Sequence, residues 1–312
     1  MSKIKYTLMA AAAAVAFITT AQADGLSDSL PLGKSLAAGQ ELPLPLGISA
    51  NVFFLEQNME AQSIAIDLPP LSLPTGLLEL PPGVPAKATK LESRATSTTA
   101  KIDAWVLPFL NVYAVAGYVD GETSASGFSL QSFTSEAFFG LPSSALTQPQ
   151  EAQLKGINDA IAGLAPYLPD SFPLAYSGPV YGGGVTLAAG YNQFFASVDA
   201  NYTESDLDIG DSTIEAFVIS PRVGITGELG GLSGSLYVGA MYQDVDENQN
   251  GTVDFKLGGA PLPVHYDVIS QAEDEWNYLV GANLKASESW HYGIEVGFSK
   301  RTHVMATLNY RF

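Results

Sequence analysis

Several groups of residues have the types and spacing for chemistry. The stretch "DENQNGTVD" at 246–254 sets Asp246, Asn248, Asn250, Gly251 and Asp254 in the order of a calcium loop, where oxygens recur at alternate residues before a glycine turn. Leu257 stands where that loop would place its bidentate glutamate, so the cage is incomplete. Asn-Gly also serves a hairpin turn for backbone reasons alone. His265 and Asp267 lie two apart and could act as an acid–base pair, with a second acidic pair in Asp206 and Asp208 or in Asp244 and Asp246. His291 and His303 are available as bases, but no serine is fixed beside either. The last group is of mixed sign: Lys101, Asp103, Asp199, Arg222, Glu295 and Arg311. None of these groups assembles a catalytic, cofactor or metal set from sequence alone, so the expectation is a protein that is not an enzyme.

Their positions depend on the elements that carry them, and these read as strands. In "WHYGIEVGF" Trp290, Tyr292, Ile294, Val296 and Phe298 share one face, and His291, Gly293, Glu295 and Gly297 the other. The same alternation occurs at 48–54, 99–106, 181–191, 194–203, 217–226, 235–243, 276–285 and 301–312. A further strand lies at 111–119, where the assignment of faces is ambiguous. The apolar faces carry no charge, while the opposite faces hold the glycines, serines and the mixed charges. Short turns near 107–111, 190–192, 227–233 and 286–289 alternate with longer connections at 67–88, 124–175 and 247–266, while two others, near 207–212 and 299–302, are short.

The chain opens with Lys3 and Lys5, an apolar run from Tyr6 to Ile18, and "AQA" at 21–23. That is the pattern of a cleaved secretory signal peptide over residues 1–23. Without it the chain has 12 basic and 32 acidic residues, a net charge of −20. An acidic chain lacks the basic face that nucleic acid requires. Cysteine is absent, which removes disulfides and thiolate metal sites. Residues 24–47 are rich in leucine and proline and are expected in the periplasm or the lumen.

A polar inside and an apolar outside suit lipid, and only a closed sheet satisfies its backbone there. The pattern predicts an all-β, transmembrane up-and-down antiparallel barrel of about ten strands over 48–312, with one long helix-containing loop. The chain ends on Phe312, preceded at alternate positions by Tyr310 and Leu308. This end resembles the C-terminal signature of bacterial outer-membrane β-barrel proteins. The resemblance implies a Gram-negative outer-membrane location, lipid as neighbour, and Leu308, Tyr310 and Phe312 as the edge read by the insertion machinery.

Among such barrels the omptins are aspartate/histidine proteases of this size, but the His-x-Asp order of His265 and Asp267 departs from their Asp-x-His. In the long loop, Thr147 and Gln150 form a capping box ahead of a helix whose apolar side is Leu154, Ile157, Ile161, Leu164 and Leu168. Loop 67–88 is rich in proline and leucine. Loop 124–175 carries Phe128, Phe133, Phe138, Phe139, Tyr167 and Phe172. Exposed, these would bind a small hydrophobic ligand and make the protein a narrow or gated transporter; packed together, they would form a cap. Pro221 inside a strand implies a bulge or a misplaced boundary. The six mixed charges face inward, and in a narrow lumen they are expected to pair and close it as a structural network.

Overall fold

The computed structural model describes residues 29–37, 42–73, 76–169, 171–229, 231–257 and 260–312. The signal peptide expected at 1–23 lies outside them. The strands are β1 (Leu46–Asp67), β2 (Leu71–Leu73), β3 (Gly76–Leu78), β4 (Val84–Lys87), β5 (Lys90–Leu107), β6 (Leu110–Ser126), β7 (Ser129–Leu130) and β8 (Ser171–Tyr191). They continue with β9 (Phe194–Asp206), β10 (Thr213–Leu229), β11 (Leu232–Leu257), β12 (Ala260–Ala272), β13 (Trp276–Lys285), β14 (Trp290–Phe298) and β15 (Arg301–Arg311). Two helices, α1 (Ser135–Phe139) and α2 (Gln148–Leu164), lie between β7 and β8.

A closed antiparallel ring runs β1-β5-β6-β8-β9-β10-β11-β13-β14-β15, and β15 returns to β1. Each strand predicted from alternation falls on one member of this ring of ten. The seam pairs Gly47 with Arg311 through to Gln57 with Arg301. Phe312 completes it, its N–H donating to the Leu46 carbonyl at 3.0 Å and its carbonyl accepting from Leu46 at 3.1 Å. On the outside, Tyr310 lies 4.9 Å from the Trp290 ring and 6.0 Å from that of Phe312, while Leu308 faces lipid.

The outer face shows where lipid sits. Ile102, Val185, Leu187, Val198, Val223, Ile225, Leu236, Val238, Val280 and Ile294 point outward in a continuous belt. On β9 the belt runs from Phe194 to Tyr202, about 27 Å along a tilted strand, which is the scale of a bilayer's apolar layer. At its upper rim Tyr202 donates to Glu215 at 2.7 Å and Tyr181 to Asp206 at 3.2 Å. Each ring stays in the interface while its hydroxyl reaches the first acid above it.

Several strands rise well past that rim, and here the structure departs from the expected loops. β1 continues to Asp67, β5 begins at Lys90, and β8 begins at Ser171. The connection expected at 247–266 is largely strand: β11 runs to Leu257 and turns back as β12. β12 then pairs with the upper half of β1, from Met59–Ala272 to Asp67–His265, across a register shift between Ala61 and Ser63. The connection at 67–88 holds β2, β3 and β4, and β4 adds to β1 and to β7.

The inner face changes character at the same height. Within the belt it carries Ser49, Asn51, Asp103 and Glu295; above it carries Met59, Ile64, Ile66, Leu91, Phe172, Leu174, Val264, Tyr266 and Val268. These upper residues form one apolar core with Val84, Ala86, Phe128, Phe133 and Ile161. Helix α2 lies against it. The capping box is present, with the Thr147 N–H donating to Gln150 Oε1 at 2.9 Å. Ile161 and Leu164 are buried, and Leu154, Ile157 and Leu168 pack on the core. The aromatics of the 124–175 connection pack edge to face, Phe128 with Phe172 at 5.0 Å and Phe133 with Phe138 at 5.4 Å. They thus build a cap; Tyr167 stays exposed.

Pro221 needs neither of the expected remedies. The β10–β11 ladder lapses between Ile219–Tyr242 and Arg222–Gly239 and resumes in the same register, while Pro221 stays opposite Val198 on β9. Gly239 makes this possible, because a Cβ there would meet the Pro221 carbonyl oxygen at 2.4 Å.

Ile66 is 1% exposed at the centre of the cap. An Ile66→Ala change should cost the cap about 2–5 kcal/mol, the range for a large-to-small change in a packed core. Limited proteolysis of intact cells should then cut the α1–α2 segment sooner. The heat-dependent gel shift of the membrane-embedded ring should stay at its wild-type temperature.

Candidate functional site

The polar interior of the ring is the candidate site. The structure places the six mixed charges in three groups rather than one continuous net. Arg222, from β10, reaches across the lumen to Glu295 on β14: Nε donates to Oε2 at 2.8 Å and Nη2 to Oε1 at 3.3 Å. The Tyr237 hydroxyl also donates to Glu295 at 3.1 Å, and its ring lies 5.9 Å from the guanidinium. Asp199 accepts from Tyr113 at 2.9 and 3.0 Å, from Thr186 at 2.6 Å and from Asn201 at 3.1 Å. Lys101 lies over the same Tyr113 ring at 4.8 Å. At the periplasmic end Arg311 bonds Asp103 at 3.0 Å, and Asn111 donates to that carboxylate at 2.7 Å. Arg311 Nε donates to the Leu44 carbonyl at 2.8 Å, so the chain just ahead of β1 is fastened to the end of the ring where β15 finishes.

Glycine makes room for these groups. A Cβ on Gly281 would fall 2.2 Å from the Tyr237 ring, and one on Gly184 would fall 2.6 Å from the Tyr113 hydroxyl. Each aromatic lies across the glycine opposite it on the neighbouring strand. Sequence reading did not find Tyr113 or Tyr237. The available signal was an inward tyrosine directly opposite an inward glycine on the adjacent strand. That signal needs the register, which only the closed ring supplies.

His303 is inward and 1% exposed, with Nε2 3.5 Å from Glu295 Oε1 and its ring 5.3 Å from that of Phe53. His291 lies near the periplasmic turn, a ring nitrogen 3.3 Å from the Glu288 carbonyl oxygen. His265 and Asp267 are exposed on the outer face of β12. Asp206, Asp208, Asp244 and Asp246 are likewise exposed on the wall, so the two acidic pairs do not confront His265 and Asp267 across a mouth. The calcium-like stretch is the body of β11, where Asn250 stands opposite Asp267. Alternate side chains on an extended strand stay about 7 Å apart and do not converge on one ion. Asn250 instead accepts from the Asp211 N–H at 3.0 Å and anchors the β9–β10 turn.

Above the belt, Glu247 points inward from β11 and is 2% exposed. It accepts from Thr123 at 3.2 Å and is bonded to Gln249; Tyr176 and Ser93 form a second buried polar contact at 3.3 Å. Desolvation pushes its carboxyl up to about 7, and the two hydrogen bonds only partly oppose that.

The closed ring with an apolar outer belt and a polar inside is a transmembrane β-barrel. No protein-family model matches the chain, and no curated protein sequence does either. Among solved structures it is similar to the beta domain of the Bordetella autotransporter BrkA, at 10% identity and a TM-score of 0.38, covering 86% of this chain and 100% of that one. It is also similar to the Pseudomonas putida toluene transporter TodX (9%, TM-score 0.28, 89% and 92% covered) and to LpxR from Salmonella typhimurium (9%, TM-score 0.30, 86% and 99% covered).

The buried Glu247 makes the stability of the cap depend on pH. An acid whose folded pKa is raised holds its proton after the unfolded chain has released it, so stability falls as pH rises. The fall should run from about pH 4.5 to about pH 7 and level off above, by roughly 3 kcal/mol in all. Denaturant titrations of the cap's proteolytic protection at several pH values should show this slope. Glu247→Gln should flatten it.

Proposed function

We propose that this protein is a non-enzymatic, integral surface barrel whose lumen is closed to solutes. The observation that carries this reading is closure at two levels by different chemistry. Within the belt, Arg222 and Glu295 bridge the lumen between strands that are not neighbours, with Tyr113 and Tyr237 lying across the space between. Above the belt, the apolar core of the cap fills the interior of the extended wall. A ring of ten strands is only slightly wider than one that side chains fill completely. Charges held in this way, by a counter-ion or by hydroxyls, offset part of their desolvation cost and leave little room for a water column. The edge formed by Leu308, Tyr310 and Phe312 is, on this reading, the part that the insertion machinery recognises before the seam closes.

Planar-bilayer recording of the refolded protein tests it. The wild type should show no steady conductance. Arg222→Ala strands Glu295 without its cation and should loosen the layer, giving brief openings. Large, steady, weakly selective conductance in the wild type would overturn the closed-lumen reading.

A further inference from the structure

Arg301 opens β15 and points into the upper end of the membrane-embedded lumen, 2% exposed. Its backbone is held firmly: Asn277 Nδ2 donates to its carbonyl at 2.7 Å, and its N–H donates to Asn277 Oδ1 at 3.4 Å. The side chain is served less well. Nη1 donates to Gln57 Oε1 at 3.4 Å, while Nε and Nη2 are buried without a hydrogen-bond partner among the described residues. A guanidinium stays charged at any ordinary pH, and a buried cation without a counter-charge is among the costliest arrangements a fold can hold.

The carboxylates that could compensate it are engaged elsewhere. Asp103 is held by Arg311, and Asp199 by Tyr113 and Thr186. Glu295 is taken by both arms of Arg222 and by Tyr237. Asp274, whose field reaches Arg301, is paired with Lys300 at 3.5 Å. Two residues further along the strand, His303 is 1% exposed; its Nε2 lies 3.5 Å from Glu295 Oε1, and neither ring nitrogen makes a hydrogen bond of good geometry among the described residues. Gly297 leaves space for both neighbours, since a Cβ there would meet the His303 ring at 2.1 Å and Asn277 Nδ2 at 2.8 Å.

We infer that the Nε–Nη2 edge of Arg301 holds a small monovalent anion inside the lumen. That edge is a planar two-donor fork, which grips a halide between its hydrogens or a flat oxyanion such as nitrate or formate through two oxygens. The anion supplies the counter-charge the chain does not. The apolar cap above it, which begins at Met59 on the same face of β1, keeps water from screening the pair. The site rests on Arg301 and its neighbours, and it stands apart from whether the barrel conducts.

The test uses the refolded full-length barrel in detergent, with thermal unfolding followed in sodium gluconate, chloride, bromide, nitrate or formate at one ionic strength. The small anions should raise the midpoint over gluconate, and the rise should saturate with concentration as one-site binding does. Arg301→Gln should remove that response. Equal midpoints in all five salts, or a response that persists in Arg301→Gln, would overturn the inference. Should the variant not fold, anomalous scattering from bromide-grown wild-type crystals decides: a peak at the guanidinium supports the site, and its absence there overturns it.

Discussion

Hydrocarbon offers a backbone no hydrogen-bond partner, and the architecture follows from that constraint. Every strand that crosses the belt must have a neighbour on both sides, which is why β15 returns to β1 and why Phe312 is paired through both its N–H and its carbonyl. Closure fixes the inside as well. Once the ring is shut, each inward side chain has a limited set of opposite neighbours. The lumen becomes a packing problem, solved here with tyrosines laid over glycines and arginines laid over acids.

The second theme is an inversion. A strand in lipid is apolar outside and polar inside; the same strand above the lipid is polar outside and apolar inside. β8 carries the change along one chain. Phe172, Leu174 and Tyr176 point inward above the belt, and Tyr181, Val185 and Leu187 point outward within it. The chain thus has two hydrophobic surfaces of different purpose, one meeting the bilayer and the other meeting itself. The cap is the water-soluble half of the molecule, built on the same strands as its membrane half.

That inversion also explains what could be read in advance. Alternation placed a segment on each of the ten ring strands, because within the belt the apolar parity holds steady. It stopped β1 at residue 54 and started β5 at 99, although both run well past those points. At the belt's rim the apolar residues change parity, from Phe54 outward to Met59 inward, and a period-two pattern loses its phase. The β11–β12 hairpin was read as a loop for the same reason: on β11 the outward residues become Asp244, Asp246, Asn248, Thr252 and Asp254, and β12 adds His265 and Asp267. Of the site, the inward charges Arg222, Glu295, Asp199 and Arg311 were legible from parity. Their partners were not, because which charge meets which across a lumen depends on strand stagger. Arg301 stood where the last strand meets the short connection before it, and its inward parity went unremarked. Glu247 was passed over beside the more conspicuous Asp246, whose side chain points out to water.

The two ladders on one edge of β1 have a bearing on how the molecule comes together. Residues 47–57 of that edge take β15, and residues 59–67 take β12, which ends almost thirty residues earlier in the chain. The first strand is therefore a single template read by two segments in tandem, with the irregularity between Ala61 and Ser63 lying within the second reading. Whichever segment docks first fixes the alignment of the other. Once both have docked, the last strand cannot peel away from the seam by itself, because the wall above it is stitched to the same edge. A barrel sewn in this way gives up sideways opening toward the lipid in exchange for a seam that cannot slip.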